Sequence, residues 1–164
     1  MLHPAIAHFA ISLPIISLIL GIAYLYKPNE LMSKISSRFF VFAALFIIAA
    51  YFTGKHDGSE VFMSLGGEGR KLLLAHKDLG LYITIAMAFA AIIKFYGCQK
   101  QNKKVEIVSV VLVALIAAGV LYQGKMGGEL TFTHGAHVKD HAKGLECIDD
   151  PEEYLDSLAE DAEE

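Results

Sequence analysis

The 164-residue sequence contains no tryptophan, two cysteines and only 20% charged residues, and each scarcity removes a class of protein. Charge this sparse, beside 54% hydrophobic residues and a mean hydropathy of +0.45, does not suit an ordinary water-soluble domain of this size. Cys98 and Cys147 fall on opposite sides of a membrane in the topology derived below, so no intrachain disulfide joins them. The C-x-x-C-H signature of covalently attached haem is missing. Basic residues are scattered at the ends of apolar runs, with no basic patch between aromatics, which argues against nucleic acid as a partner. The glycines at positions 66, 67 and 69 lack the Lys-Ser/Thr ending of a phosphate-binding loop.

What is present is four apolar runs, at 4–26, 39–53, 79–97 and 105–122. Each approaches the roughly 20 residues that a helix needs to cross about 30 Å of hydrocarbon. The runs are apolar all round, whereas helices of a soluble bundle keep a polar face. The expected fold is therefore an all-α membrane protein, a four-transmembrane-helix antiparallel bundle with helices at about 4–26, 38–54, 75–97 and 105–123. Residues 1–136 form the transmembrane domain and 137–164 a short acidic extramembrane tail. Residues 146–164 hold ten of the eighteen acids and no Lys or Arg, so residues 1–145 carry fourteen bases against eight acids, +6. The formal net charge of -4 belongs to the tail. Within it, Asp150, Pro151 and Glu153 read as the start of a short acidic helix, with a disordered acidic segment as the alternative.

No basic region precedes the first apolar run, so it reads as a retained helix rather than a signal peptide. The loops at 27–38 and 98–104 are dense in bases (Lys27, Lys34, Arg38; Lys100, Lys103, Lys104), while the 54–78 loop balances its bases with acids. The positive-inside rule places the two basic loops in the cytoplasm and both termini outside. The expected location is the bacterial inner membrane, multi-pass, with periplasmic termini.

This topology gathers all seven histidines, His3, His8, His56, His76, His134, His137 and His141, on the outer side. His8 is 19 residues from Lys27, His56 is 18 from Arg38 and His76 is 18 from Lys94. At about 1.5 Å per residue the three share one level, roughly 27 Å from the inner interface. His8 and His76 lie on parallel helices and are expected to face each other, with His3, beside Pro4, as a cap or pre-helix residue. Two imidazoles from separate membrane helices suit a six-coordinate haem b, and Arg70, Lys71 and Lys77 lie where propionates would reach. A Zn, Cu or Fe ion would instead collect several ligands at one point, such as His56 with Asp57, or His134 with His137 and His141. The bland account makes His137 and His141 ordinary solvated tail residues and leaves His56 an interfacial one.

The opening His3-Pro4-Ala5-Ile6-Ala7-His8-Phe9, Thr53-Gly54 closing helix 2, His76 opening helix 3, and Gly127-Gly128-Glu129-Leu130 leading to His134-Gly135 form an ordered set over about residues 2–136. On these motifs the chain resembles a bacterial "predicted membrane protein" domain family of unassigned function with four helices. The resemblance implies a polar set of His3, His8, His76 and His134. Relatives are fused to Rieske-type iron-sulfur or c-type cytochrome modules, which implies a redox setting.

These readings give a leading expectation and an alternative. The first is a b-type haem protein relaying electrons at the outer side, with His8 and His76 as axial ligands, His3 and His134 in supporting positions, and Arg70 and Lys77 near the propionates. The alternative is a non-enzymatic His-rich metal-binding or assembly subunit on the periplasmic face, with His56, His134 and His137 as candidate ligands. Electron transfer is favoured over catalysis, because no nucleophile stands beside a base. Membrane lipid, a soluble cytochrome or other redox partner attracted by the acidic tail, and further copies of the chain are the expected partners.

Overall fold

A computed structural model describes residues 2–136. It contains four helices, α1 (His3–Tyr26), α2 (Glu30–Val61), α3 (Gly67–Lys100) and α4 (Lys103–Phe132), and no strand among the described residues. All four are long and apolar enough to cross a membrane. The acidic tail, with His137, His141 and Cys147, lies outside the described residues.

Consecutive helices run antiparallel and close into a ring: α1 packs on α2 and α4, and α3 packs on α2 and α4. α1 and α3 are therefore parallel and diagonal. One end holds the two short turns, at 27–29 and 101–102; the other holds the first residues of α1, the 62–66 connection and the chain leaving α4.

The packing is the inverse of a soluble protein. Ile19, Ile22, Phe42, Leu45, Phe52, Ile85, Phe89, Ile92, Val111 and Leu115 all point outward and are exposed. The interior is built from Ala10, Ser17, Ser36, Ala43, Ala44, Ala90, Ala91, Ser109 and Ala117, with Phe40, Met87 and Val113 at the centre. An apolar sheath of this extent tolerates lipid but not water, and small inner residues let the helices approach closely. At Gly21 the approach is so tight that an added Cβ would stand 2.7 Å from Val110 Cγ2.

Three helices are longer than their apolar runs. α2 begins at Glu30 rather than near 38, α3 at Gly67 rather than near 75, and α4 continues to Phe132 rather than stopping near 123. Hydropathy marks only the stretch that lipid demands, whereas caps and local packing carry a helix beyond it. Asn29 accepts from the Met32 N–H at 2.8 Å, and Asn102 accepts from the Lys104 and Val105 N–H groups at 3.1 and 3.4 Å. At the histidine end Leu65, Leu130 and Ala136 form a second small core with Val61, Leu72 and Leu73 around it. Gly135, at φ +68°, turns the chain back so that the Ala136 N–H reaches the Leu130 carbonyl at 2.9 Å. The loop expected at 54–78 is thus reduced to residues 62–66 between two continuous helices.

Candidate functional site

His3 opens α1, and Pro4 follows it, where the missing N–H costs a helix nothing. The His3 backbone N–H donates to Asp57 Oδ2 at 3.3 Å, so a buried carboxylate of α2 meets the first turn of α1. The His3 ring lies flat on α2 at Thr53-Gly54: a Cβ on Gly54 would come within 2.8 Å of the ring, and Nδ1 is 3.4 Å from Thr53 Oγ1. The Thr53 hydroxyl donates to the Ala49 and Ala50 carbonyls at 2.9 and 3.2 Å, which leaves its lone pairs to accept from His3 Nδ1–H. A neutral His3 ring with its proton on Nδ1 presents Nε2, the position from which an imidazole coordinates a metal.

His76 approaches from the diagonal helix. It is half-buried, with its ring edge against Gly127, where an added Cβ would sit 3.5 Å from Cε1. Its Nδ1 is buried and has no hydrogen-bond partner among the described residues. Gln123 Nε2 donates to the His76 carbonyl at 2.8 Å, while Gln123 Oε1 is likewise buried without a partner. The histidine end therefore joins His3, Thr53, Asp57, His76 and Gln123 from all four helices, with two buried polar atoms whose hydrogen-bonding capacity is unspent. Leaving such atoms unmade costs about 1–3 kcal/mol each, a cost that a ligand or water at this level removes.

The structure does not bring His8 and His76 together. His8 is exposed on the outside of α1, and its Nδ1 is 2.6 Å from the Pro4 carbonyl one turn back. Five residues separate His3 from His8, a rotation of about 140°, so a helix that faces one of them inward turns the other outward. Because α1 is regular from His3 onward, His3 is the inward member and not a pre-helix cap.

The other expected residues fall as follows. Arg70 bends back to cap α2, with Nε on the Phe62 carbonyl at 3.0 Å, Nη2 on the Met63 carbonyl at 2.9 Å, and its guanidinium over the Phe62 ring. Lys71 pairs with Glu68 at 2.9 Å on the surface, and Lys77 is exposed. His134 is half-buried just past α4, against Gly69, seven residues before His76 and so about 10 Å further out. It roofs the start of α3 and is not beside the His3 and His76 rings. His56 is exposed and groups with Asp57 and Glu60, at 3.5 and 3.7 Å from their carboxylates. That arrangement is an ordinary solvated helix face, apart from Asp57, which points into the bundle.

At the opposite end stands a constellation that the histidines overshadow in the sequence. Lys94 and Glu106 are fully buried and paired, and Ser33 Oγ lies 2.9 and 3.1 Å from the two Glu106 oxygens. Lys94 is therefore not at the membrane surface, where it serves as a depth marker in the sequence. The legible signal was a pair of opposite charges, one in or beside an apolar run on each side of a short turn.

The family described as "Predicted membrane protein (DUF2231)" matches residues 1–140. The chain belongs to this family. DUF2231 membership spans all four helices and both ends of the bundle, and it agrees with the lipid-facing surface. Comparison with curated proteins and with solved structures gives no match.

Proposed function

We propose that this DUF2231 protein is a b-type haem membrane protein that relays electrons at its histidine end, with His3 and His76 as the axial ligands. The supporting observation is that these two imidazoles stand at the same end of the bundle on the parallel, diagonal helices α1 and α3, His3 on Gly54 and His76 against Gly127, both half-buried, and bis-imidazole ligation takes one ring from each of two such helices. Haem bound there supplies one-electron transfer. Thr53 holds the His3 ring at Nδ1, Asp57 anchors the first turn of α1, and Gly127 gives the His76 ring room against α4. Arg70 is committed to the end of α2, which leaves exposed Lys77 as the cation nearest in sequence to His76 for a propionate.

The proposal places the short basic turns in the cytoplasm of a bacterium and the histidine end in the periplasm. The acidic residues 146–164 then offer a basic soluble redox protein a complementary surface, in keeping with the redox modules joined to relatives. A second reading, a divalent ion bound by a non-enzymatic subunit, is favoured by one observation: the buried Asp57 carboxylate beside the His3 backbone adds an oxygen donor from a third helix.

Purified protein from cells supplied with haem separates the two readings. The haem reading expects a Soret band and a reduced-minus-oxidised difference spectrum at about one haem per chain. Its absence, with stoichiometric zinc, copper or iron on elemental analysis, selects the ion.

A further inference from the structure

A cavity of about 160 Å³ opens at the short-turn end, remote from the histidines. Its mouth is framed by Pro28, Asn29, Glu30 and Gln101, all exposed, and its inner wall by Tyr24, Ser33 and Glu106, all buried. The cavity has room for several water molecules and ends against Glu106, whose side chain is itself only 1% exposed.

A carboxylate that only braces the bundle needs neither a cavity at its side nor a hydroxyl partner suited to its neutral form, and Glu106 has both. When Glu106 gains a proton its partner ammonium loses an opposite charge. Lys94 Nζ lies 4.4 Å from the Tyr24 ring centroid and 5.9 Å from that of Phe40, two aromatic faces that hold a desolvated cation in either state of the carboxyl. Ser33 is bonded to both carboxylate oxygens and, as a hydroxyl, turns from donor to acceptor when one of them becomes O–H. Ionisable groups at such depth usually mark proton or ion pathways.

We propose that Glu106 is a proton-exchange site opening to the short-turn end. A hydronium ion in the cavity transfers its proton to a Glu106 carboxylate oxygen, leaving water and a neutral carboxylic acid. Lys94 stays an ammonium, so the site passes from net zero to +1, and release reverses the step. The charged and titratable groups around Glu106 are Tyr24 on α1, Glu30 with its partner Lys34 on α2, and Lys94 and Cys98 on α3.

The test is pH-difference infrared spectroscopy of the full chain in lipid vesicles. The wild type is expected to gain, as the pH falls, a protonated-carboxyl C=O band at the high frequency of a desolvated acid, separate from the band of the seventeen other side-chain carboxyls, and it is expected to shift in D₂O. Glu106→Gln loses that band, while Glu30→Gln and Cys98→Ser keep it. A folded Glu106→Gln protein with the whole band intact, or a wild type with no such band, overturns the proposal and leaves the pair a structural brace. Should Glu106→Gln not fold, Ser33→Ala decides: removing the hydroxyl must displace the band, and an unmoved band overturns the proposal. The spectrum of a metal centre at the histidine end is expected to be unchanged in Ser33→Ala.

Discussion

The two ends of the bundle bury polar groups of different kinds. At the short-turn end Lys94, Glu106 and Ser33 satisfy one another beside Tyr24 and Phe40, while the nearby Ser36 and Ser37 hydroxyls are buried without a partner among the described residues. At the histidine end His76 Nδ1 and Gln123 Oε1 are buried without a partner among the described residues, at the same end as the His3 ring on Thr53. An ion pair satisfied internally holds helices together, and an imidazole left unspent at membrane depth invites a ligand. Mutations at the first end should therefore register as stability, and at the second as loss of the bound group.

The largest effect is expected from breaking the ion pair on one side only. Lys94→Met leaves the Glu106 carboxylate buried without its ammonium, and such cuts cost about 3–5 kcal/mol. Lys94→Met combined with Glu106→Gln should recover much of that loss, as chemical unfolding in detergent can measure. Next comes the helix contact over the pair. A Cβ on Gly97 would stand 2.9 Å from Glu106 Cγ and 3.2 Å from the Glu106 backbone nitrogen, so Gly97→Val should cost about 1–3 kcal/mol in the same assay. Gly127→Ala, whose Cβ meets His76 Cε1 at an ordinary 3.5 Å, should leave unfolding within about 0.5 kcal/mol of wild type. An intermediate loss, about 1 kcal/mol, is expected for Arg70→Ala, which removes two bonds to the end of α2 from a partly exposed side chain. If Gly127→Ala proved more damaging than Gly97→Val, the contrast between the ends would be reversed.

Much of this was legible in the sequence, because lipid imposes one simple rule. Four apolar runs gave four helices, and the alternation of direction put His3, His8, His76 and His134 at one end. Facing was less legible. Amphipathic periodicity tells inside from outside in water, but a lipid-facing helix is apolar on both faces, so nothing in 3–9 marked His3 as the inward histidine. The decision rested on whether α1 is regular from its first residue, a matter of the Pro4 start and the Asp57 contact. Helix ends escaped hydropathy for a related reason. Residues 30–37 are polar enough to read as a loop, yet Asn29 caps them and Ser33, Ser36 and Ser37 turn inward. The Lys94 and Glu106 pair was hidden because a lysine near the end of an apolar run resembles an interfacial anchor until its partner is seen across the turn.

The most direct test of the central claim is the reduced-minus-oxidised absorption spectrum of purified wild type, His3→Ala, His76→Ala and His8→Ala, each from haem-supplied cells. The account predicts a haem signal in the wild type and in His8→Ala, with loss or conversion of the signal in His3→Ala and in His76→Ala. A signal that survives both of those substitutions, or that vanishes only in His8→Ala, would contradict it.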